Sequence, residues 1–338
     1  MSTLNRRHAL SLLGAAAALP VLGTPVFAST KLNVGALHFT SHAASFVAFE
    51  RGYFADEGLD VTFRFFQAAQ PMAVAVASGD VDFAVTAISG GLVSLADKGA
   101  AKVIGGALSE EPGIDGQKIL ASLKAFDAGL TAPSGLDGKS FGITQAGSSF
   151  HYMGSKVGMA EGVTPKFKPL QKVGALIGAL KSGQIDSWAI VPHIAKALAG
   201  GGAVKIIGNI SDYLPNYQVT TVFTSATIAK EQRAKSEAFL RAFSRGAADY
   251  NAALVDKTAG PEAADAMVAL IHKYVYADKP LEKAAKSIRN GAMRINAGAA
   301  LNMASVRDQL SWMQSEGLVK ASITPETLVD TSYVEIIS

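Results

Sequence analysis

The chain repeats itself once. Ser78-Gly79-Asp80-Val81-Asp82 is answered by Ser182-Gly183-Gln184-Ile185-Asp186, 104 positions later (182 − 78), and a run of small apolar residues precedes each copy. A doubled strand-and-helix pattern at this spacing restricts the fold to two similar lobes, because each copy must bury its own apolar faces. In the first copy the apolar pattern predicts a strand at 31–37, a polar turn at 38–45 and a helix at 45–54 with Phe46, Phe49 and Tyr53 on one face. Gly58 stops that helix. A strand at 59–66, a helix at 71–77 stopped by Gly79 and a strand at 81–85 follow. The second copy predicts a strand at 140–144, a helix at 147–160 ended by Gly162, a strand at 166–170, and a helix at 173–181 ended by Gly183.

Alternation of this kind defines an α/β fold in which each lobe has a mixed, mostly parallel sheet flanked by helices. Residues 118–122 read as the strand crossing from lobe one to lobe two, and 219–224 as the return, which makes two hinge crossings. From 227 onward the chain is mainly helical, and Phe239, Phe243 and Tyr250 are spaced as a core stripe that packs back onto lobe one. The expected division is 29–117 with 222–338 for lobe one and 118–221 for lobe two. Its 338 residues suit two domains at roughly 150 residues each.

Residues 1–28 read as an export leader. Arg6 and Arg7 precede an apolar stretch from 9 to 22 interrupted by Pro20, and Val26-Phe27-Ala28 supplies a signal-peptidase pattern, with cleavage after Ala28. Asn5-Arg6-Arg7-His8-Ala9-Leu10 resembles a twin-arginine motif. Ala9 stands where that motif carries an aromatic residue, so the ordinary secretory route stays open as well. Either route leaves the bacterial cytoplasm. No later stretch reaches the ~18 apolar residues of a membrane span, so the processed chain is expected to be soluble.

Composition excludes several functions. The chain has 31 basic and 28 acidic residues, and removing Arg6 and Arg7 leaves 29 − 28, or +1. Such a balance offers no basic footprint for nucleic acid or an anionic membrane. With no cysteine there are no disulfides, thiolate metal sites or thiol nucleophile. There is also no G-x-G-x-x-G after the first strand, no Walker loop and no G-x-S-x-G elbow. Binding is favoured over catalysis, and no cofactor is expected.

In such sheets ligands sit off the carboxyl ends of the strands. That rule nominates loops 38–42, 67–70 and 86–90 in lobe one, and 145–149, 171–174 and 190–193 in lobe two. Gly147-Ser148-Ser149 opens a helix after a strand and offers N–H groups, hydroxyls and the positive end of a helix dipole to an anion. A plain serine N-cap is the competing account. His38, His42, His151 and His193 fall in or beside these loops, and they suit an anion when protonated or a metal when neutral. Thr40, Ser41, Gln67, Thr86, Ser89 and Gln145 add polar groups. Trp188 is either an apolar wall of the cleft or a core residue, and Tyr213 and Tyr217 either reach a ligand or cover the hinge. Asp82 and Asp186 are equivalent between the lobes, which marks a repeated structural task.

Arg51-Gly52-Tyr53-Phe54-Ala55-Asp56-Glu57-Gly58-Leu59-Asp60-Val61 resembles a signature of the nitrate/sulfonate/taurine family of ABC-transporter substrate-binding proteins. Residues 77–83, 136–143 and 183–188 with Pro192 extend the match in order, and 312–319 with 328–330 resemble its C-terminal helix and tail. The resemblance implies a type II periplasmic-binding-protein fold that closes on a small molecule by hinge motion and presents it to a membrane permease, as a monomer in the periplasm. The family's ligands range over sulfonates, taurine, nitrate, bicarbonate, aromatic carboxylates and thiamine-precursor pyrimidines; Asp186-Ser187-Trp188 with Pro192 looks most like its sulfonate-type members, and the expected ligand is a small organic anion, a sulfonate or carboxylate. On that reading the anionic head lies at Ser148, Ser149 and the cleft histidines, with Trp188 against the apolar part. The alternatives are a metal or pyrimidine-type receptor, or a hydrolase or synthase on the same scaffold. The cysteine-rich motif of the pyrimidine-synthase relatives is absent.

Overall fold

The fold is that of a computed structural model, which describes residues 29–337; the leader at 1–28 lies outside the described residues. Besides a short two-stranded pair, Leu301–Asn302 with Ile336–Ile337, its strands are β1 (Thr30–Ala36), β2 (Leu59–Phe65), β3 (Phe83–Thr86), β4 (Ala101–Gly106), β5 (Lys118–Ser122), β6 (Ser140–Ile143), β7 (Lys166–Pro169), β8 (Ser187–Ile190), β9 (Val204–Asn209) and β10 (Thr221–Ser225). They form two five-stranded sheets, in the orders β2-β1-β3-β10-β4 and β7-β6-β8-β5-β9. In the first, β1 is parallel to β2 and β3, while β10 runs antiparallel to β3 and β4. In the second, β6 is parallel to β7 and β8, while β5 runs antiparallel to β8 and β9. The two sheets therefore share one topology. The fourth position of each is filled by the strand that the chain enters directly after crossing from the other lobe.

This refines the expected crossings. Strands β5 and β10 are landing points inside the sheets, and the passage itself is made by the extended residues just before each. Those residues pair with one another. Ala107 N–H donates to Thr220 O at 3.0 Å, Val219 N–H to Leu108 O at 2.9 Å, and Glu110 N–H to Tyr217 O at 2.9 Å. The two crossings thus form one hydrogen-bonded ribbon between the sheets.

Asp82 and Asp186 perform the repeated task expected of them. The Asp82 carboxylate accepts the Asn33 N–H at 2.8 Å, and Asp186 accepts the Ser140 N–H at 2.8 Å. In return the Asp82 N–H donates to Asn33 O at 2.8 Å and the Asp186 N–H to Ser140 O at 3.1 Å. Each aspartate thus anchors the start of one strand to the central parallel strand of its own lobe.

The helix expected at 45–54 is broken. Ala43–Glu50 ends at Arg51, and Gly52, at φ 76°, turns the chain before a second short helix at Tyr53–Asp56. Only glycine enters that left-handed region at no steric cost. The break buries Phe54 and leaves Phe49 exposed. Helix Arg233–Tyr250 carries the expected stripe, and Phe239 stacks on Phe83 with ring centres 4.4 Å apart. Its Gly246 lets the backbone lie against helix Ala43–Glu50, where a Cβ would come within 2.8 Å of Ala48 N. Each buried phenylalanine of the stripe is worth about 1.5–3 kcal/mol. Helix Met303–Ser315 reaches both lobes. Its Asp308 pairs with Lys156 at 2.7 Å and accepts from the Tyr152 hydroxyl, and its Trp312 ring meets His151 and Tyr152 edge-on. Among the described residues no helix is long and apolar enough to cross a membrane.

Candidate ligand site

A cavity of about 60 Å³ lies between the lobes at the carboxyl ends of the strands. That is room for roughly four to six water-sized volumes. Lobe one lines it with Leu37, Phe39, Ser41 and His42 after β1, with Ala68 and Ala69 after β2, and with Thr86 and Ala87 after β3. Lobe two contributes Thr144, Ser148, Ser149 and Phe150 after β6, Val173 after β7, and Ile190 with Val191 at β8. The crossings add Gln117, Val219 and Thr220. All six loops nominated by the strand-end rule reach the cavity.

Among its lining residues there is no Asp, Glu, Lys or Arg. The polarity comes instead from helix ends. His42, Ala68, Ser148 and Val191 are N-caps of helices Ala43–Glu50, Ala69–Ser78, Ser149–Glu161 and Pro192–Gly200, and Val173 is the first residue of helix Val173–Lys181. Five positive helix ends thus converge on one uncharged space. The serine N-cap account also holds for Ser148, whose hydroxyl accepts the His151 N–H at 3.4 Å.

The histidines behave differently from the protonated group expected. His42 lines the cavity, with Nδ1 3.0 Å from Ser41 Oγ and Nε2 without a hydrogen-bond partner. Burial pulls its pKa down to about 3, against which the Val85 carbonyl works, and His38 lowers it a little further. His193 is also fully buried and lies outside the lining; its Nδ1 is 2.9 Å from Thr40 Oγ1. Burial, with a smaller contribution from His42, holds it at about 3. His151 is lowered by burial as well, and its Nδ1 accepts the Gly147 N–H at 3.2 Å. Burial thus favours the neutral form of all three rings, the form that suits a metal in the sequence reading, over the protonated form that suits an anion. His38 is exposed and stacked on Phe65, with Nδ1 2.7 Å from Tyr274 O.

Of the other nominated residues, Ser41, Thr86, Ser148 and Ser149 line the cavity and several do not. Thr40 is occupied by His193 and by Gly291 O at 3.3 Å. Gln67 is exposed, its carbonyl accepting the Val173 N–H at 3.3 Å, and Gln145 bonds to the Gln70 side chain. Ser89 caps helix Gly90–Asp97 through Leu92 N–H at 3.2 Å. Trp188 is a core residue, fully buried with its ring edge-on to Phe150 at 5.3 Å. The hydroxyl of Tyr213 bonds Glu161, and Tyr217 is buried under the hinge. The strand-end rule missed Gln117, Val219 and Thr220 because they lie on the crossings. It located the loop of Phe39 without singling out that residue, and its loops stop one residue short of Leu37, Thr144 and Phe150.

The lobes touch directly around this space. Gly90 N–H donates to Gly147 O at 3.0 Å, Tyr276 Oη–H to His193 O at 3.1 Å, and Lys196 Nζ to Asn290 O at 3.1 Å. Two sheets of one topology, joined by paired crossings and closed over a cavity at the carboxyl ends of their strands, define a two-lobed periplasmic-binding-protein fold. Solved structures agree. The aliphatic sulphonate-binding protein SsuA of Escherichia coli matches with a TM-score of 0.68 at 17% identity, over 91% of this chain and 94% of that one. The nitrate-binding protein NrtA of Synechocystis PCC 6803 matches at 0.69 and 14%, over 88% and 84%. A zinc-bound ligand-binding component of an ABC-type import system from Staphylococcus aureus matches at 0.69 and 12%, over 89% and 97%. At these identities the likeness is one of fold. The family model described as NMT1/THI5 like matches residues 39–253, and the chain belongs to that family. No curated protein matches the sequence.

Proposed function

We propose that this protein is an extracytoplasmic solute receptor of an ABC importer, which closes on a small organic anion, a sulfonate or carboxylate, and delivers it to a membrane permease. The observation that carries the ligand class is the convergence of five helix N-termini on a cavity with no charged side chain. Oriented N–H groups hold an anion without a counter-charge. Ser148, Ser149, Ser41 and Thr86 supply neutral hydroxyls, and the neutral His42 ring supplies Nε2. Phe39, Phe150 and Ile190 enclose the apolar part. The moving bodies are residues 29–117 with 222–338 against 118–221, and the receptor works as a monomer in the periplasm after loss of residues 1–28.

A second reading has its own support, since a mostly apolar, uncharged cavity also suits a neutral ring of the pyrimidine type. Thermal melting of residues 29–338 against sulfonates, carboxylates, nitrate, pyrimidines and divalent metals, with and without chelator, separates the two. A ligand at a hundred times its dissociation constant stabilises by about 2.7 kcal/mol, a shift of several degrees. A selective shift with an organic anion is expected. A shift with pyrimidines alone would replace the anion by the ring, one with metals alone would move the site to the histidines, and turnover of the bound compound would make the protein an enzyme.

A further inference from the structure

The crossings hold a buried carboxyl that the ligand site itself does not use. Glu110 is 2% exposed and lies on the outgoing crossing, its N–H bonded to Tyr217 O on the return. Its Oε1 accepts the backbone N–H of Gln117 at 2.9 Å. Its Oε2 has no hydrogen-bond partner and is pressed over Gly116, where a Cβ would sit 2.8 Å from the Glu110 Cδ. Two more buried polar atoms on the same ribbon lack partners, Nε2 of Gln117 and the hydroxyl of Tyr217. Gln117 is also part of the cavity wall. An acid with a free oxygen, a free amide donor and the ligand space are thus adjacent along one short stretch of backbone.

No cation is assigned to this acid. The Lys118 ammonium is held by Asp115 at 2.5 Å and Asn209 at 2.8 Å, and Asp115 is bound to Lys196 as well. Glu111 turns away to Arg294 at 2.8 Å. Burial raises Glu110 to about 7; the backbone and side chain of Gln117 and the charge of Lys118 oppose this, and Asp115 adds to it. Burial, reinforced by the charge of Glu110, keeps the Tyr217 phenol un-ionised.

We propose that Glu110 is a proton-linked positioning residue for the ligand site, drawing the Gln117 side-chain amide toward the crossings when ionised and releasing it toward the cavity when protonated. A buried carboxylate oxygen without a donor is costly, and the Gln117 amide, itself without a partner on the same ribbon, is a neutral donor able to satisfy it. The protonated acid carries its own O–H and makes no such demand. One polar wall of the cavity then changes with pH across the neutral range. The consequence for solute affinity rests on the receptor reading above, and the switch itself does not.

The test is solute-free NMR of the full chain carrying carboxyl-labelled glutamate and amide-labelled glutamine, titrated from about pH 5.5 to about pH 8.5. Glu110→Gln and Gln117→Asn assign the two signals. One glutamate carboxyl is expected to titrate with its midpoint at about 7, and the Gln117 amide to shift with the same midpoint. In Glu110→Gln that amide should become independent of pH. A Glu110 carboxyl already ionised at the start of the range, or a Gln117 amide indifferent to its titration, would overturn the proposal. If Glu110→Gln fails to fold, Gln117→Asn still assigns the amide, and a wild-type Gln117 amide that shares no midpoint with any glutamate carboxyl overturns the proposal. Because no solute is present, failure here is distinct from failure of the receptor reading, which the melting panel addresses.

Discussion

Gly291 offers a direct probe of lobe closure. A Cβ on this residue would lie 2.8 Å from the Cα of His193, 2.9 Å from its N and closer still to its Cβ, distances that real Cβ contacts essentially never show. These are root atoms of helix Pro192–Gly200, and no rotamer change removes them. The Gly291→Ala variant therefore fits only if the lobes part here by about an ångström, since close-packed backbone does not compress. Parting breaks the two bonds that cross between the lobes here, Thr40–His193 at 2.9 Å and Tyr276–His193 O at 3.1 Å. At about 0.5–1.5 kcal/mol net for each bond, the closed form loses about 1–3 kcal/mol. Apparent affinity scales with the closed fraction, so binding of the solute found in the melting panel should weaken by roughly fivefold to a hundredfold. Small-angle scattering should show a larger radius of gyration, and calorimetric titration the weaker binding. Unchanged scattering together with unchanged affinity would mean that the backbone around 291 relaxes locally, and that this contact does not govern closure.

Other perturbations address the site and the scaffold separately. Ser149→Ala should weaken solute binding about tenfold at unchanged stability, whereas Ser148→Ala should also cost about 0.5–2 kcal/mol because that hydroxyl caps a helix; calorimetric titration with urea melts reads both, and unchanged affinity in the double variant would remove the anion head from this helix end. Asp186→Ala deletes bonds from Ser140 N–H at 2.8 Å and Ser140 Oγ–H at 2.7 Å, and should cost about 1.5–3 kcal/mol in urea unfolding while leaving solute affinity intact. Glu110 is raised from 4.5 to about 7 on folding, so the native form keeps a proton that the unfolded chain has released in this window. Its contribution is fully present below 4.5 and is lost as pH rises through about 7, a change of about 3 kcal/mol in all. Glu110→Gln should flatten that part of the stability profile, and a variant with the wild-type slope would count against the buried acid as its source.

The fold was legible because both lobes repeat one arrangement of strands and aspartates. The match of Asp82 to Asp186 marks a repeated structural task such as capping a turn, and the structure shows that task to be tying one strand to the next. The strand-end rule brought the right loops together. Individual residues were harder to read, for a physical reason in each case. Trp188 lies in β8, whose four residues are all buried, so the strand carries no alternation that could tell a residue lining the cavity from one in the core behind it. His42 and His193 look chargeable in a sequence, but their neutrality is set by desolvation from residues far along the chain. Gln117 and Thr220 sit between elements, where no periodic pattern marks them.

The shared sheet topology also sets the order in which the lobes can be completed. Strands β3 and β4 are separated by the place of β10, and 115 positions divide Gly106 from Thr221 (221 − 106). Every strand of the second sheet lies within that interval. A chain appearing from its N-terminus can thus finish its second lobe while the first still has an open slot between two strands. Closing that slot brings together contacts of long sequence separation, the slow kind. The half of the molecule made first is the half finished last.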